Sequence, residues 1–248
     1  MTADKLRAPR VVDHPNNNHE SQGLLSKWPI IGLSMFILGS LIFAGMFYNL
    51  RAQGPLLQWD KALATYLPAL GLRSPPIVRV IMDAGFYMGE YVIIGLGVLI
   101  GLFFIYKQFW KEFTMVAIGL IGALSLYLSL SNLISRARPP TQIWIILKIP
   151  GFPSGHATTV VVFYGLLAYL LVPKMPLTFW KGVVIVAALF LIGFVGFTRV
   201  FTGGHYLTDI LAGYAVGLAW SGAAFTLIEL FFQRGMRNHL KKENEIRE

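Results

Sequence analysis

The sequence predicts an all-α, polytopic membrane protein, a six-helix bundle whose polar chemistry gathers at the extracytoplasmic helix ends. Three observations predict it. Charged residues make up 13% of the 248 residues and hydrophobic ones 55%, against about 25% and about 45–50% in a soluble domain. Six stretches free of Asp, Glu, Lys and Arg (residues 28–50, 91–106, 113–135, 149–173, 182–198 and 210–228) together cover 123 residues, and a helix needs about 20 apolar residues to cross the hydrocarbon. With the N-terminus in the cytoplasm, 13 Lys and Arg fall inside and 8 outside, the asymmetry that the positive-inside rule favours. The charge deficit excludes a soluble globular enzyme, a disordered chain and a collagen-like fibre. The absence of cysteine excludes disulfides, thiolate metal sites and cysteine nucleophiles. The net charge of +9 points to topology and anionic lipid headgroups, not to nucleic acid.

Each element follows in order. Residues 1–27 are polar, with Pro15 followed by Asn16, Asn17 and Asn18, and read as a disordered cytoplasmic tail. The apolar stretch after them starts too late and runs too long for a cleavable signal peptide, so it reads as an uncleaved anchor. Residues 28–232 hold the six spans. The second, 91–106, is short and borrows from 85–90, which places Glu90 near an interface or inside the bundle. In the long loop after the first span, Trp59, Leu63, Tyr66 and Leu67 recur at helical spacing with Asp60 and Lys61 off that face. This is the pattern of an interfacial amphipathic helix; a loop packed on the bundle is the plainer alternative. Residues 233–248 form a basic cytoplasmic tail. Both termini are expected inside a plasma or inner membrane.

The outer loops carry three clusters. Arg136, Arg138 and Pro139 follow the third span. Pro153, Ser154, Gly155 and His156 open the fourth. Arg199, His205 and Asp209 lead into the sixth. Ser154 is a good N-cap, and a helix N-terminus with its free N–H groups and positive dipole end binds phosphate. Gly155 lets an oxyanion approach the backbone, and His156 sits in the first turn beside it. Taken alone, residues 153–156 read more plainly as an ordinary capped helix. His205 and Asp209 are i and i+4, on one helix face; a carboxylate on one ring nitrogen fixes the tautomer and leaves the other as nucleophile or base. A metal pair is the rival reading, but it lacks an obvious third ligand. Gly203 and Gly204 permit a tight turn before His205. Arg138 and Arg199 could snorkel to headgroups; with two histidines and a helix N-terminus they describe a phosphate clamp, because the guanidinium fork grips phosphoryl oxygens in pairs.

Together these motifs resemble the membrane branch of the type 2 phosphatidic acid phosphatase superfamily, which shares its site with vanadium haloperoxidases. Its three motifs run KxxxxxxRP, PSGH and SRxxxxxHxxxD. Residues 153–156 match the second in full. Arg199, His205 and Asp209 match the third, with Thr198 in place of its serine, and Arg138 with Pro139 match the end of the first. The first-motif lysine is missing: position 131 is Ser131. Arg136 or Lys148 could supply the lost charge. The resemblance spans roughly 28–232 and implies a metal-independent, cofactor-free lipid phosphatase. By that likeness His205 attacks phosphorus, Asp209 orients it, and His156 protonates the leaving oxygen. Arg138, Arg199, Ser154 and the Gly155 amide would hold the phosphoryl oxygens. Phosphatidic acid, phosphatidylglycerol phosphate, undecaprenyl diphosphate and a lipid A phosphate are the candidate substrates, with Gln142, Trp144, Trp59 and Tyr206 near the head. The small form suggests a bacterial host. A phosphotransferase using the same phosphohistidine, and a non-catalytic lipid-binding relative, are the alternatives.

Overall fold

The computed structural model describes residues 29–87, 91–140 and 150–247. The tail 1–27, Glu90, Gln142, Trp144 and Lys148 lie outside the described residues. In hydrocarbon every backbone N–H and C=O must be bonded within its own segment, and this apolar chain answers with helices. They are α1 (Pro29–Arg51), α2 (Leu56–Arg73), α3 (Pro76–Tyr87), α4 (Tyr91–Tyr106), α5 (Trp110–Ile134), α6 (Gly155–Leu171, continued by a 3₁₀ turn Val172–Lys174), α7 (Thr178–Phe201) and α8 (Leu207–Arg247). Five of these, α1, α5, α6, α7 and α8, are long and apolar enough to cross a membrane. The sixth predicted span corresponds to α3 and α4, which pass that test only as a pair bent by 48°. The protein is a multi-pass, all-helical membrane protein.

Several boundaries differ from the expectation, two of them for one reason. A charge-free stretch ends at the first charged residue, but a helix does not. The fifth span runs through Lys181 and Arg199. The sixth continues past Glu229, which is buried and accepts a hydrogen bond from Tyr169 of α6, and stays helical to Arg247. The fourth begins at Gly155, not at 149, and Pro150 to Ser154 form part of the site loop.

The helices differ in depth. About half of the spanning windows of α6 and α8 is buried, against 11% for α1. Leu41, Phe190 and Leu227 are about two-thirds exposed, the outward apolar surface that lipid requires. Inside, Met115, Ala123, Val162, Leu166, Phe225 and Ile228 join α5, α6 and α8, and Ile93, Val160, Phe163 and Val195 join α4, α6 and α7. The seam between α6 and α8 is close. A Cβ on Gly213 would lie 2.5 Å from the Ser154 carbonyl oxygen, and one on Gly217 2.7 Å from that of Thr158. Small residues at such spacing let backbones touch, and here they bring the starts of α6 and α8 together.

The expected loop helix exists as α2, but its face is corrected. Trp59 and Tyr66 point outward and are 65% and 63% exposed, while Asp60 is 1% exposed. The inward face carries Asp60, Leu63 and Leu67, and both leucines pack on Ala157, Val200 and Ile210. A hydrophobicity pattern places aromatic residues inside and acids outside. Here the two leucines stay inside beside Asp60, whose buried ion pair is described below, while the two aromatics face out.

Gly213→Ala is expected to destabilise the fold by about 1–3 kcal/mol through overpacking. Gly193→Ala, where nothing lies within 4 Å of the added carbon, is expected to be neutral. Thermal unfolding of both variants in detergent checks this.

Candidate active site

Three loops meet at one end of the bundle, and main-chain hydrogen bonds join them. After α5, Ser135 turns the chain through a left-handed conformation with φ 53°. The Arg136 carbonyl then accepts from the Gly151 N–H at 2.7 Å. The Ser154 N–H donates to the Asp209 carbonyl at 3.0 Å, so the starts of α6 and α8 are tied directly. After α7, Gly204 and His205 both donate to the Arg199 carbonyl, and Gly203 takes a φ of 71° that favours glycine. All seven candidate residues of the three motifs therefore sit in this one region.

His205 is 1% exposed. Its Nδ1 lies 3.0 Å from the Gly151 carbonyl oxygen, and its Nε2 lies 2.9 Å from Nη1 of Arg138. These partners set the tautomer. A carbonyl only accepts, so Nδ1 carries the proton. A guanidinium only donates, so Nε2 presents its lone pair. Arg138 Nη1 also donates to the Gly204 carbonyl at 3.1 Å. Burial, then the positive charge of Arg138, then His156 and Arg199, hold the His205 imidazole well below its ordinary 6.5. The surroundings favour the neutral ring, whose Nε2 lone pair faces the Arg138 guanidinium.

Asp209, the residue expected to orient His205, lies beside its ring. Its Oδ2 is 3.5 Å from Nδ1, farther than the Gly151 carbonyl. That carboxylate accepts instead from the Tyr206 N–H at 2.9 Å, the reach-back of an acidic residue to its own helix start, and its Oδ1 accepts from Nη1 of Arg136 at 2.6 Å. Arg136 also bonds Asp60 through Nη2 at 2.8 Å and the Thr208 hydroxyl through Nη1 at 2.7 Å, while its guanidinium lies 4.3 Å over the Tyr206 ring. Arg136 thus does not stand in for the missing motif lysine, because two buried carboxylates hold it. Ser131 itself is buried and donates to the Leu128 carbonyl. Tyr206 supports Arg136, and Trp59 faces away from the site. Sequence reasoning missed Asp60 and Thr208. Nothing local marks them, since their partners lie 76 and 72 residues away along the chain.

Ser154 is the N-cap, as expected; its hydroxyl accepts from the Ala157 N–H at 3.4 Å. Gly155 is required for a reason beyond anion access. A Cβ there would lie 2.6 Å from the Tyr127 ring. Arg199 is 1% exposed, donates to the Phe86 carbonyl at 2.6 Å and lies 3.7 Å over the Phe86 ring. His156, half-buried in the first turn of α6, has its ring 6.3 Å from that same phenyl. Among the described residues, no group of three His, Cys, Asp or Glu is placed to hold a metal ion. The arrangement offers a nitrogen lone pair, two arginines, a second histidine and the open N–H groups of a helix start, which is the chemistry of phosphoryl transfer.

Comparison with known proteins agrees with the geometry. Residues 112–232 match the PAP2 superfamily. Phosphatidylglycerophosphatase B of Bacillus subtilis is 32% identical over 136 residues, covering 54% of this chain and 64% of that one. A lipid A 1-phosphatase of Rhizobium johnstonii is 37% identical over 118 residues, covering 44% and 42%. The chain therefore spans less than two-thirds of the length of the curated relatives it matches. The crystal structure of a transmembrane PAP2 type phosphatidylglycerolphosphate phosphatase from Bacillus subtilis superposes with a TM-score of 0.63 at 25% identity, covering 82% of this chain and 96% of that one.

The depressed basicity of His205 has a signed consequence. Above pH 6.5 the ring is neutral whether folded or unfolded. As pH falls through 6.5 the unfolded chain takes up a proton that the folded chain refuses, and stability is lost. His205 is expected to contribute a loss of Tm in detergent between pH 7 and pH 5, read as the difference from His205→Gln, which lacks that contribution.

Proposed function

We propose, from the premise that this chain belongs to the PAP2 superfamily, that it is an integral-membrane lipid phosphatase acting through a phosphohistidine. The observation that carries this reading is the Nε2 lone pair of His205, its tautomer set by Gly151 and its face turned to Arg138. On this reading Nε2 attacks phosphorus and the bond to the lipid oxygen breaks, while His156 gives its proton to that oxygen. Arg138 moves from Nε2 to a phosphoryl oxygen, joined by Arg199, Ser154 and the Gly155 N–H. The imidazolium formed keeps its Nδ1 proton, which donates to the Gly151 carbonyl, with Asp209 close enough to offset its charge. His156, now neutral, takes a proton from water, which attacks phosphorus; the P–Nε2 bond breaks, its electron pair returns to His205, and inorganic phosphate leaves. Each fixed donor aimed at developing charge contributes about 3–4 kcal/mol in comparable sites.

A lipid substrate fits the surroundings. An apolar cavity of about 440 Å³ lies between α4 and α5, lined by Gly97, Gly101, Leu102, Phe113 and Leu120, and reaches Thr159, one turn beyond Gly155. An acyl chain in the bilayer has room there while its head stays at the clamp. Phosphatidylglycerol phosphate and a lipid A 1-phosphate are the substrate types that the relatives' names suggest. Phosphatidic acid and undecaprenyl diphosphate complete the class. The charge asymmetry of the loops favours a site on the extracytoplasmic face, with both termini inside.

The test is phosphate release from a panel of these four lipids by the purified protein, with and without EDTA. Hydrolysis is expected to survive EDTA and to fall about 100- to 10,000-fold in His156→Ala, and to vanish in His205→Ala. EDTA-sensitive turnover would overturn the metal-free mechanism, and activity retained by His205→Ala would overturn the phosphohistidine.

A further inference from the structure

We infer that Asp60, on the helix between the first two spans, is a positioning residue for the His205 chemistry, acting through Arg136 and the start of α8. The inference rests on the reading of His205 as the phosphoryl acceptor. It concerns a residue outside the segment 112–232 that matches the family.

Asp60 is buried, and a buried carboxylate is tolerated only when fully paired. All its partners belong to the site. Its Oδ2 accepts from Nη2 of Arg136 at 2.8 Å and from the Thr208 hydroxyl at 2.5 Å, and its Oδ1 accepts from the Thr208 N–H at 2.9 Å. That N–H belongs to the first turn of α8, whose donors have no partner within their own helix. Asp60 therefore caps α8 from another element, and places a negative charge at the positive end of its dipole.

Two routes lead from this carboxylate to His205. Through Thr208 it holds the helix start that directly follows the His205 loop. Through Arg136 it acts on Asp209. The guanidinium is stretched between two carboxylates, with Nη2 on Asp60 and Nη1 on Asp209. While Asp60 holds one side, Arg136 keeps Asp209 at 3.5 Å from Nδ1 and leaves the Gly151 carbonyl as the ring's acceptor. Without that hold, Arg136 and Asp209 are free to reorient, and the aim of the Nε2 lone pair changes with them. Packing does not explain the residue. Leu63 and Leu67 already seat α2 on the bundle, and an apolar side chain at position 60 would need no ion pair.

The experiment uses the full chain in detergent, with a short-chain phosphatidic acid as substrate. It compares Asp60→Asn, Arg136→Gln and the double variant with the exposed neighbour variant Lys61→Ala. Asp60→Asn is expected to lower kcat about 10- to 100-fold at a KM within about twofold, because transition-state alignment is lost while phosphate binding stays. Inhibition by orthovanadate, whose five-coordinate form needs an aligned nitrogen, is expected to weaken about tenfold, in line with a lost transition-state contact. Inhibition by inorganic phosphate is expected to stay put. The double variant should be no worse than Arg136→Gln, the coupling expected of residues acting as one unit. If Asp60→Asn does not purify, Thr208→Val, which removes the hydroxyl's bonds to Asp60 and from Arg136 and keeps the ion pair, carries the test with the same signature at smaller amplitude. An unchanged kcat overturns the proposal, as does a loss that only tracks the folded fraction or one that appears as raised KM. Activity surviving in His205→Ala overturns instead the reading beneath it.

Discussion

One guanidinium, that of Arg136, bridges two carboxylates at the polar end of the bundle, and the site is built around that bridge. Asp60 and Asp209 are both essentially inaccessible to solvent. Two negative charges so placed would repel each other and lose their hydration, at a cost of several kcal/mol per ion. Arg136 accommodates both, because its planar fork presents separate N–H groups to separate acceptors. The consequence is topological as much as energetic. The residues come from α2, from the loop after α5 and from the first turn of α8, so one side chain ties three distant parts of the sequence to each other.

The state of His205 follows from its neighbours in the same enclosure. A carbonyl on one nitrogen and a cation on the other leave a single tautomer. Burial and the surrounding positive charges keep the ring neutral. A neutral imidazole lone pair surrounded by cations suits an anionic ligand. The charges that would disfavour its protonation are the ones that would hold phosphoryl oxygens.

The bundle places this polar cluster beside lipid. Its outer surface is apolar, its inner helices α6 and α8 touch through glycines, and the starts of both helices form the floor of the site. The Gly213 seam brings the Ser154 cap against α8, so the helix packing that stabilises the membrane part also sets the distance between the two halves of the candidate phosphate site. The apolar cavity at α4 and α5 ends near the same floor. An amphiphile with its head at the arginines would therefore have its tail in hydrocarbon.

The sequence by itself determined the all-helical membrane class, because backbone in lipid has almost no alternative to helix, and a shortage of charge is visible in composition. It also determined the motif residues. His156 next to its cap and His205 with Asp209 are local patterns, and their spacing is written along the chain. Helix ends were less legible, because Lys181, Arg199 and Glu229 lie within helices that a charge-free criterion cuts short. Only the tertiary structure decided which way α2 faces, that the Gly151 carbonyl lies nearer to the Nδ1–H of His205 than Asp209 does, and that Arg136 serves two carboxylates instead of replacing the lysine missing at Ser131. Each of these depends on a contact between residues far apart in the chain, made by a single polar atom. Such contacts leave no periodicity and no spacing to read, and they exist only once the helices have packed.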